Sequence, residues 1–263
     1  MRISMTLVPV TAVLALAGSV LVSPAIADDK CQQASGDEAI AACTRIIQNH
    51  ETSTKYRAAA YYNRGVLYRD KGDHDRAIAD YNEAIRLDPE FPAAYTNRGV
   101  AYRAKGDHDR AIADYNEAIR LDPKYPTAYI NRGVAYRAKG DHDRAIADYN
   151  EAIRLDPEYA AAYTNRGLGY RAKGDHDRAI ADHNEAIRLD PKLAQAYINR
   201  GVAYDAKGDY DRAIADYNEA IRLDPKYPSA YYNRGLAKKS KGDAAGGDTD
   251  IAKARELNPN IGR

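Results

Sequence analysis

The sequence predicts an all-α fold, a solenoid of stacked helix-turn-helix units, and three observations lead there. A 34-residue pattern recurs without insertion from Ala58 to Ile261, which sets units at 58–91, 92–125, 126–159, 160–193, 194–227 and 228–261. Inside each unit two helical stretches flank a "KGD" turn. Each stretch is apolar along one stripe only, so a lone helix pair cannot bury what it presents, whereas stacked neighbours can.

The third unit shows why each element forms. Its first helix opens at Pro126, as others open at Pro92 and Pro228, where a first-turn residue has no N–H to lose. Spacing of i, i+4, i+7 puts Tyr129, Gly133 and Tyr136 on one face, and Gly133 there admits a second helix at close range. Gly140 ends the helix because it takes a left-handed conformation without steric cost. Asp141 can then cap the second helix through its carboxylate. That helix aligns Ala145, Ile146, Tyr149, Ala152, Ile153 and Leu155. It stops before Pro157, which disfavours a helical Asp156.

In the first unit the skeleton is Tyr61-x-x-Arg64-Gly65-x-x-Tyr68, then Ala77-x-x-x-Tyr81, Ala84 and Pro89. This resembles the tetratricopeptide repeat family, with Tyr in place of the usual Trp and Arg in place of the usual Leu. The likeness covers 204 residues at constant period. It implies a right-handed α-solenoid in which the first helices line a concave groove.

The ends depart from the pattern. Residues 36–47, "GDEAIAACTRII", match a second helix with Cys43 at the usual Tyr position. Residues 28–57 are therefore predicted to be an amino-terminal capping half-unit plus a polar connector, "HETSTKY". In the last unit Lys238 replaces the core Tyr, and Gly246-Gly247 are expected to interrupt the second helix, leaving a short closing helix around Ile251, Ala254 and Leu257. This end resembles the closing unit of exported bacterial tetratricopeptide proteins.

Residues 1–27 have one Arg, a long apolar run and an Ala25-Ile26-Ala27 end, the layout of a signal peptide cleaved before Asp28. The run from Met5 to Val22 is also just long enough to span a bilayer as an uncleaved anchor. Export places the protein in a periplasm or outside the cell. In such a compartment the only two cysteines, Cys31 and Cys43, are best read as one disulfide. Closing this short loop stabilises the fold by roughly 3 kcal/mol on the chain-entropy model.

With 39 basic and 38 acidic residues, net charge argues for neither nucleic acid nor an anionic membrane. No nucleophile–base pair or phosphate loop stands out, so the sequence predicts no enzyme and no cofactor. His74, His108, His142 and His176 recur in "GDHD" as half-exposed residues opening the second helix. One period apart, they stand too far from each other to share a metal ion. His183 replaces a core Tyr and is expected to hold a hydrogen-bond partner. On the second helix, Arg144 is expected to pair with Asp148 at i, i+4.

The face of the first helix opposite its core stripe carries the functional expectation. Asn63, Asn97, Asn131, Asn165, Asn199 and Asn233 occupy one repeat position. The residue three further on is always Val or Leu, including Val100 and Val134. An amide is both donor and acceptor, so it can pair with a peptide backbone without reading side chains. The family resemblance implies that this Asn ladder holds an extended peptide. Arg69, Arg103, Arg137 and Arg171 flank it and favour acidic ligands, before the column changes to Asp205 and Lys239. These residues predict a protein-interaction scaffold that binds an extended or helical segment of a partner. The alternative is a structural protein whose near-identical units assemble end to end or swap between chains.

Overall fold

The computed structural model describes residues 30–33 and 35–262. The segment read as a signal peptide lies outside them. Among the described residues there are fourteen helices and no strand. A short α1 (Lys30–Gln33) and α2 (Gly36–Gln48) precede six helix pairs. The first helices are α3 (Thr54–Asp70), α5 (Pro92–Ala104), α7 (Pro126–Ala138), α9 (Ala160–Ala172), α11 (Ala194–Ala206) and α13 (Pro228–Ser240). Their partners are α4 (His74–Leu87), α6 (His108–Leu121), α8 (His142–Leu155), α10 (His176–Leu189), α12 (Tyr210–Leu223) and α14 (Ala244–Leu257).

The punctuation acts as local chemistry dictates. Pro92, Pro126 and Pro228 are the first residues of their helices. Gly140 takes a φ of +81°, and the Asp141 carboxylate accepts the Arg144 backbone N–H at 3.0 Å. Asp156 is extended and closes α8. Helix α3 begins a full turn before Ala58, because no proline stands there and Ser53 accepts from the Tyr56 N–H at 3.4 Å.

Burial is divided into a series of small clusters along the array. Tyr81, Tyr115, Tyr149 and Tyr217 are fully buried, flanked by buried Ala residues of the same helix. Each ring lies under a glycine of the first helix: a Cβ on Gly133 would stand 2.6 Å from Cε1 of Tyr149. Glycine there is what allows the two helices to meet. Every first helix packs on the second helix of its own unit and on that of the preceding unit. Each also touches the first helix of the next unit, whereas no two second helices touch among the described residues. The first helices therefore form the inner wall of a right-handed solenoid and the second helices its outer layer.

Three expectations are corrected. Helix α14 runs straight through Gly246-Gly247. Asp243 caps it by accepting the Gly246 N–H at 2.9 Å, and the bare Gly247 backbone lies so near α13 that a Cβ would stand 2.6 Å from the Gly235 carbonyl oxygen. That contact outweighs the helix penalty of about 1 kcal/mol per glycine. Arg144 does not bond Asp148: it turns back to the capping Asp141. Asp148 instead receives Arg132 from α7, through Nε at 2.9 Å and Nη2 at 2.7 Å. His183 is fully buried, yet neither ring nitrogen has a hydrogen-bond partner.

Cys31 and Cys43 form a disulfide. It ties α1 to α2, and α2 meets α3 through Arg64 to Thr44 (2.9 Å) and Lys71 to Asp37.

Candidate partner-binding groove

The inner wall depends on a polar clasp that repeats in every unit. Arg64, Arg98, Arg132, Arg166, Arg200 and Arg234 each grip an aspartate sixteen residues on with two nitrogens. From the second unit onward the remaining nitrogen, Nη1, donates to an asparagine of the preceding second helix, as Arg132 does to Asn116 at 2.7 Å. One guanidinium thus joins three helices. Burial pushes the Asp148 carboxyl above its ordinary range although Arg132 pulls it down. Burial acts the same way on Asp250, but Arg234 and a second cation, Lys238 at 2.8 Å, bring it below. The sequence did carry a signal for this clasp. The Arg and the Asp persist in all six units, including the last, which lost its core tyrosines.

The six asparagines sit along the inner wall with unequal engagements. Asn97 is the most occupied: Nδ2 donates to Tyr62 Oη and to the Ala93 carbonyl, both at 3.0 Å, and Oδ1 accepts from Arg69. Asn131 and Asn165 donate one N–H to the carbonyl four residues back in their own helices, Thr127 at 3.0 Å and Ala161 at 2.8 Å. Asn199 accepts from Gln195 at 2.8 Å, while its own Nδ2 is buried without a partner. Asn63 points its amide at the Cys31 sulfur, 4.0 Å away, and Asn233 is half-buried on α13. Val134 is 6% exposed and packs in the cluster around Tyr149. Val100 is half-buried against Tyr115. Both valines spend most of their surface on packing between helices.

The arginine column divides in two. Arg69 is satisfied, bonding Asp70 at 2.8 Å as well as Asn97. Arg103, Arg137 and Arg171 have no carboxylate partner, and the Nε of Arg103 and of Arg137 is buried without an acceptor. Each lies next to the ring beneath the facing glycine. Burial pushes the Tyr149 phenol up to about 12 against the pull of Arg137 and Arg103. Burial, then the charges of Arg171 and Arg200, hold His183 neutral down to about pH 3. Burial and the neighbouring Arg137 lower the pKa of Arg171. The column then reverses sign at half-buried Asp205, and Lys239 pairs with Asp248 at 2.5 Å.

Among the described residues no group of three or more His, Cys, Asp or Glu is placed to hold a metal ion. None of their helices is long and apolar enough to cross a membrane.

Comparison with known proteins agrees with this architecture. The tetratricopeptide repeat family matches residues 62–126, 96–160 and 130–194, with further matches to models of the same repeat at 19–90, 184–215 and 204–242. No curated protein matches the chain. Among solved structures, the Cut9-Hcn1 hetero-tetramer of the APC/C aligns with a TM-score of 0.73 at 20% identity, over 85% of this chain and 46% of that one. The chain thus spans less than half the length of that relative. A tetratricopeptide repeat protein from Parabacteroides merdae aligns with a TM-score of 0.69 at 21% identity, over 85% and 87%. YrrB, a repeat protein described as having an unusual peptide-binding site, aligns with a TM-score of 0.53 at 23% identity, over 69% and 93%. At these identities the likeness is one of fold. Together, the 34-residue helix pairs, the inner wall of first helices and the family matches place the chain in the tetratricopeptide repeat family.

Proposed function

We propose that the protein is a non-catalytic, exported scaffold that holds a segment of a partner protein against its inner wall. One observation carries this reading, the uneven satisfaction of its arginines. In each of the second, third and fourth units the helices contain four arginines. Three are held by carboxylates of the same array. The fourth, Arg103, Arg137 or Arg171, has none. All three stand on the inner wall, beside amides that keep hydrogen-bonding capacity to spare. At half-buried Arg103 and Arg137, charge without a carboxylate partner is costly in a molecule built for stability alone. The peptide-binding site described for YrrB is in keeping with this use of the fold. The Cys31–Cys43 disulfide is in keeping with an oxidising, extracytoplasmic compartment.

The test is to cross-link the protein in its own cell envelope, identify what is attached, and titrate that partner against Asn131→Ala/Asn165→Ala. Both asparagines bond only within their own helices, and Ala is the better helix former. The double variant should keep its helix content and lose affinity; unchanged affinity rejects the ladder. Mass measured across a concentration series distinguishes the scaffold, which stays monomeric, from a self-assembling array.

A further inference from the structure

Resting on the groove reading above, we infer that the occupant is an acidic segment in an extended, polyproline-like conformation. Its carboxylates fall at every third residue over three positions, and the fourth such position is not acidic.

The charge follows from the column itself. Arg103, Arg137 and Arg171 are consecutive copies of one repeat position, and none has a carboxylate partner among the described residues; the Nε of Arg103 and of Arg137 is buried without an acceptor. The first two lean on fully buried rings, Arg103 beside Tyr115 and Arg137 beside Tyr149. A guanidinium only donates, and a carboxylate lying on the wall accepts from it. Arg69 is excluded because Asp70 and Asn97 already fill it.

The spacing follows from helix packing. Successive first helices touch, and packed helices stand roughly 8–10 Å apart. A polyproline II strand rises about 3.1 Å per residue with three residues per turn, so every third side chain points the same way about 9.3 Å further on. A β-strand brings side chains to one face at multiples of about 6.6–6.8 Å, which fits poorly. An α-helix returns to one face every seven residues at a similar distance, but needs an apolar trough to lie in. Here the valines of the wall are largely consumed in packing, as Val134 is. An extended segment can instead use its own N–H and C=O groups against half-buried Asn131. Sign reversal at Asp205, whose carboxyl burial raises with no cation to offset it, repels a fourth acid and favours a basic or neutral residue.

Fluorescence anisotropy on the full chain tests this with labelled proline-containing peptides of equal length. One carries three Glu at every third position, one carries the same Glu contiguously, and a third replaces Glu with Lys. The spaced acidic peptide should bind at least about tenfold tighter than the other two, and more weakly as salt rises. Arg103→Gln/Arg137→Gln/Arg171→Gln removes no internal ion pair. It should keep the helix content seen by circular dichroism and abolish the preference. Asp205→Asn should improve binding of a peptide with a fourth spaced Glu. Equal binding of spaced and contiguous acids, or preference retained in the triple variant, overturns the inference. If instead a neutral or basic peptide binds and Asn131→Ala/Asn165→Ala releases it, the groove stands and its acidic occupant does not. If no peptide binds, both fall. A ribonucleotide oligomer that binds tighter than any peptide overturns the assignment to a protein segment.

Discussion

The third and fourth units are built on the same frame and differ in what lies beneath the glycine. Arg132 grips Asp148 and Arg166 grips Asp182 with the same 2.7 Å contact. Asp141 and Asp175 cap their helices at the same 3.0 Å. A Cβ on Gly133 would meet Tyr149 at 2.6 Å, and one on Gly167 would meet His183 at 2.7 Å. Geometry therefore tolerates either ring. Chemistry does not treat them alike. The phenol of Tyr149 stays neutral across ordinary pH. The imidazole of His183 stays neutral only because burial and Arg171 exclude its proton. Clasp and caps define the unit, and the ring decides how the unit responds to acid.

The largest expected effect lies in what the two units share. Asp148→Ala and Asp182→Ala should each cost about 3 kcal/mol, since removing one partner strands a half-buried guanidinium. Denaturant titration reads both; a clear inequality would break the claim of a common frame. Gly133→Leu should cost about 1–3 kcal/mol by overpacking against Tyr149. Gly167→Leu should cost less, because imidazole is the smaller ring, and an unaltered melting curve for Gly133→Leu would remove glycine from the helix contact.

Acid separates the units next. His183 has a folded pKa of about 3 against an ordinary 6.5. Between those values the unfolded chain binds the extra proton, so stability falls as pH falls. The slope is about 1.4 kcal/mol per pH unit, or about 2 kcal/mol from pH 6.5 to 5. His183→Tyr should abolish that part of the pH dependence, and the same slope in both proteins would assign it elsewhere. The smallest effect belongs to the caps. Asp141→Ala and Asp175→Ala should each lower the melting temperature slightly, by loss of the cap, and do so equally.

What was legible in the sequence was whatever a few neighbouring residues decide. Proline at the first turn, Gly140 past the end, the Asp141 cap and the Pro157 stop all act within one helical turn. The buried stripe of Tyr149, Ala145 and Ala152 followed from periodicity. The Arg132–Asp148 clasp was missed because periodicity gives the face of a helix but not which face of the next helix it meets. Arg144 stands four residues from Asp148, yet the capping carboxylate of Asp141 is nearer to its path and takes it. The Gly246-Gly247 break was expected from propensity alone, and contact with α13 overrode it. The asparagine ladder was visible as a pattern, but not the fact that Arg69 and Asn97 are already engaged while Arg137 and Arg171 are not.

Because each first helix reaches only its immediate neighbours, the array has the mechanics of a spring made of separable coils. Pulling on the two ends loads every interface in series. The units are alike in their contacts with their neighbours, so they let go one at a time. Each unit that lets go releases a tether of 34 residues, roughly 120 Å when extended. A force trace should therefore be a staircase of equal treads.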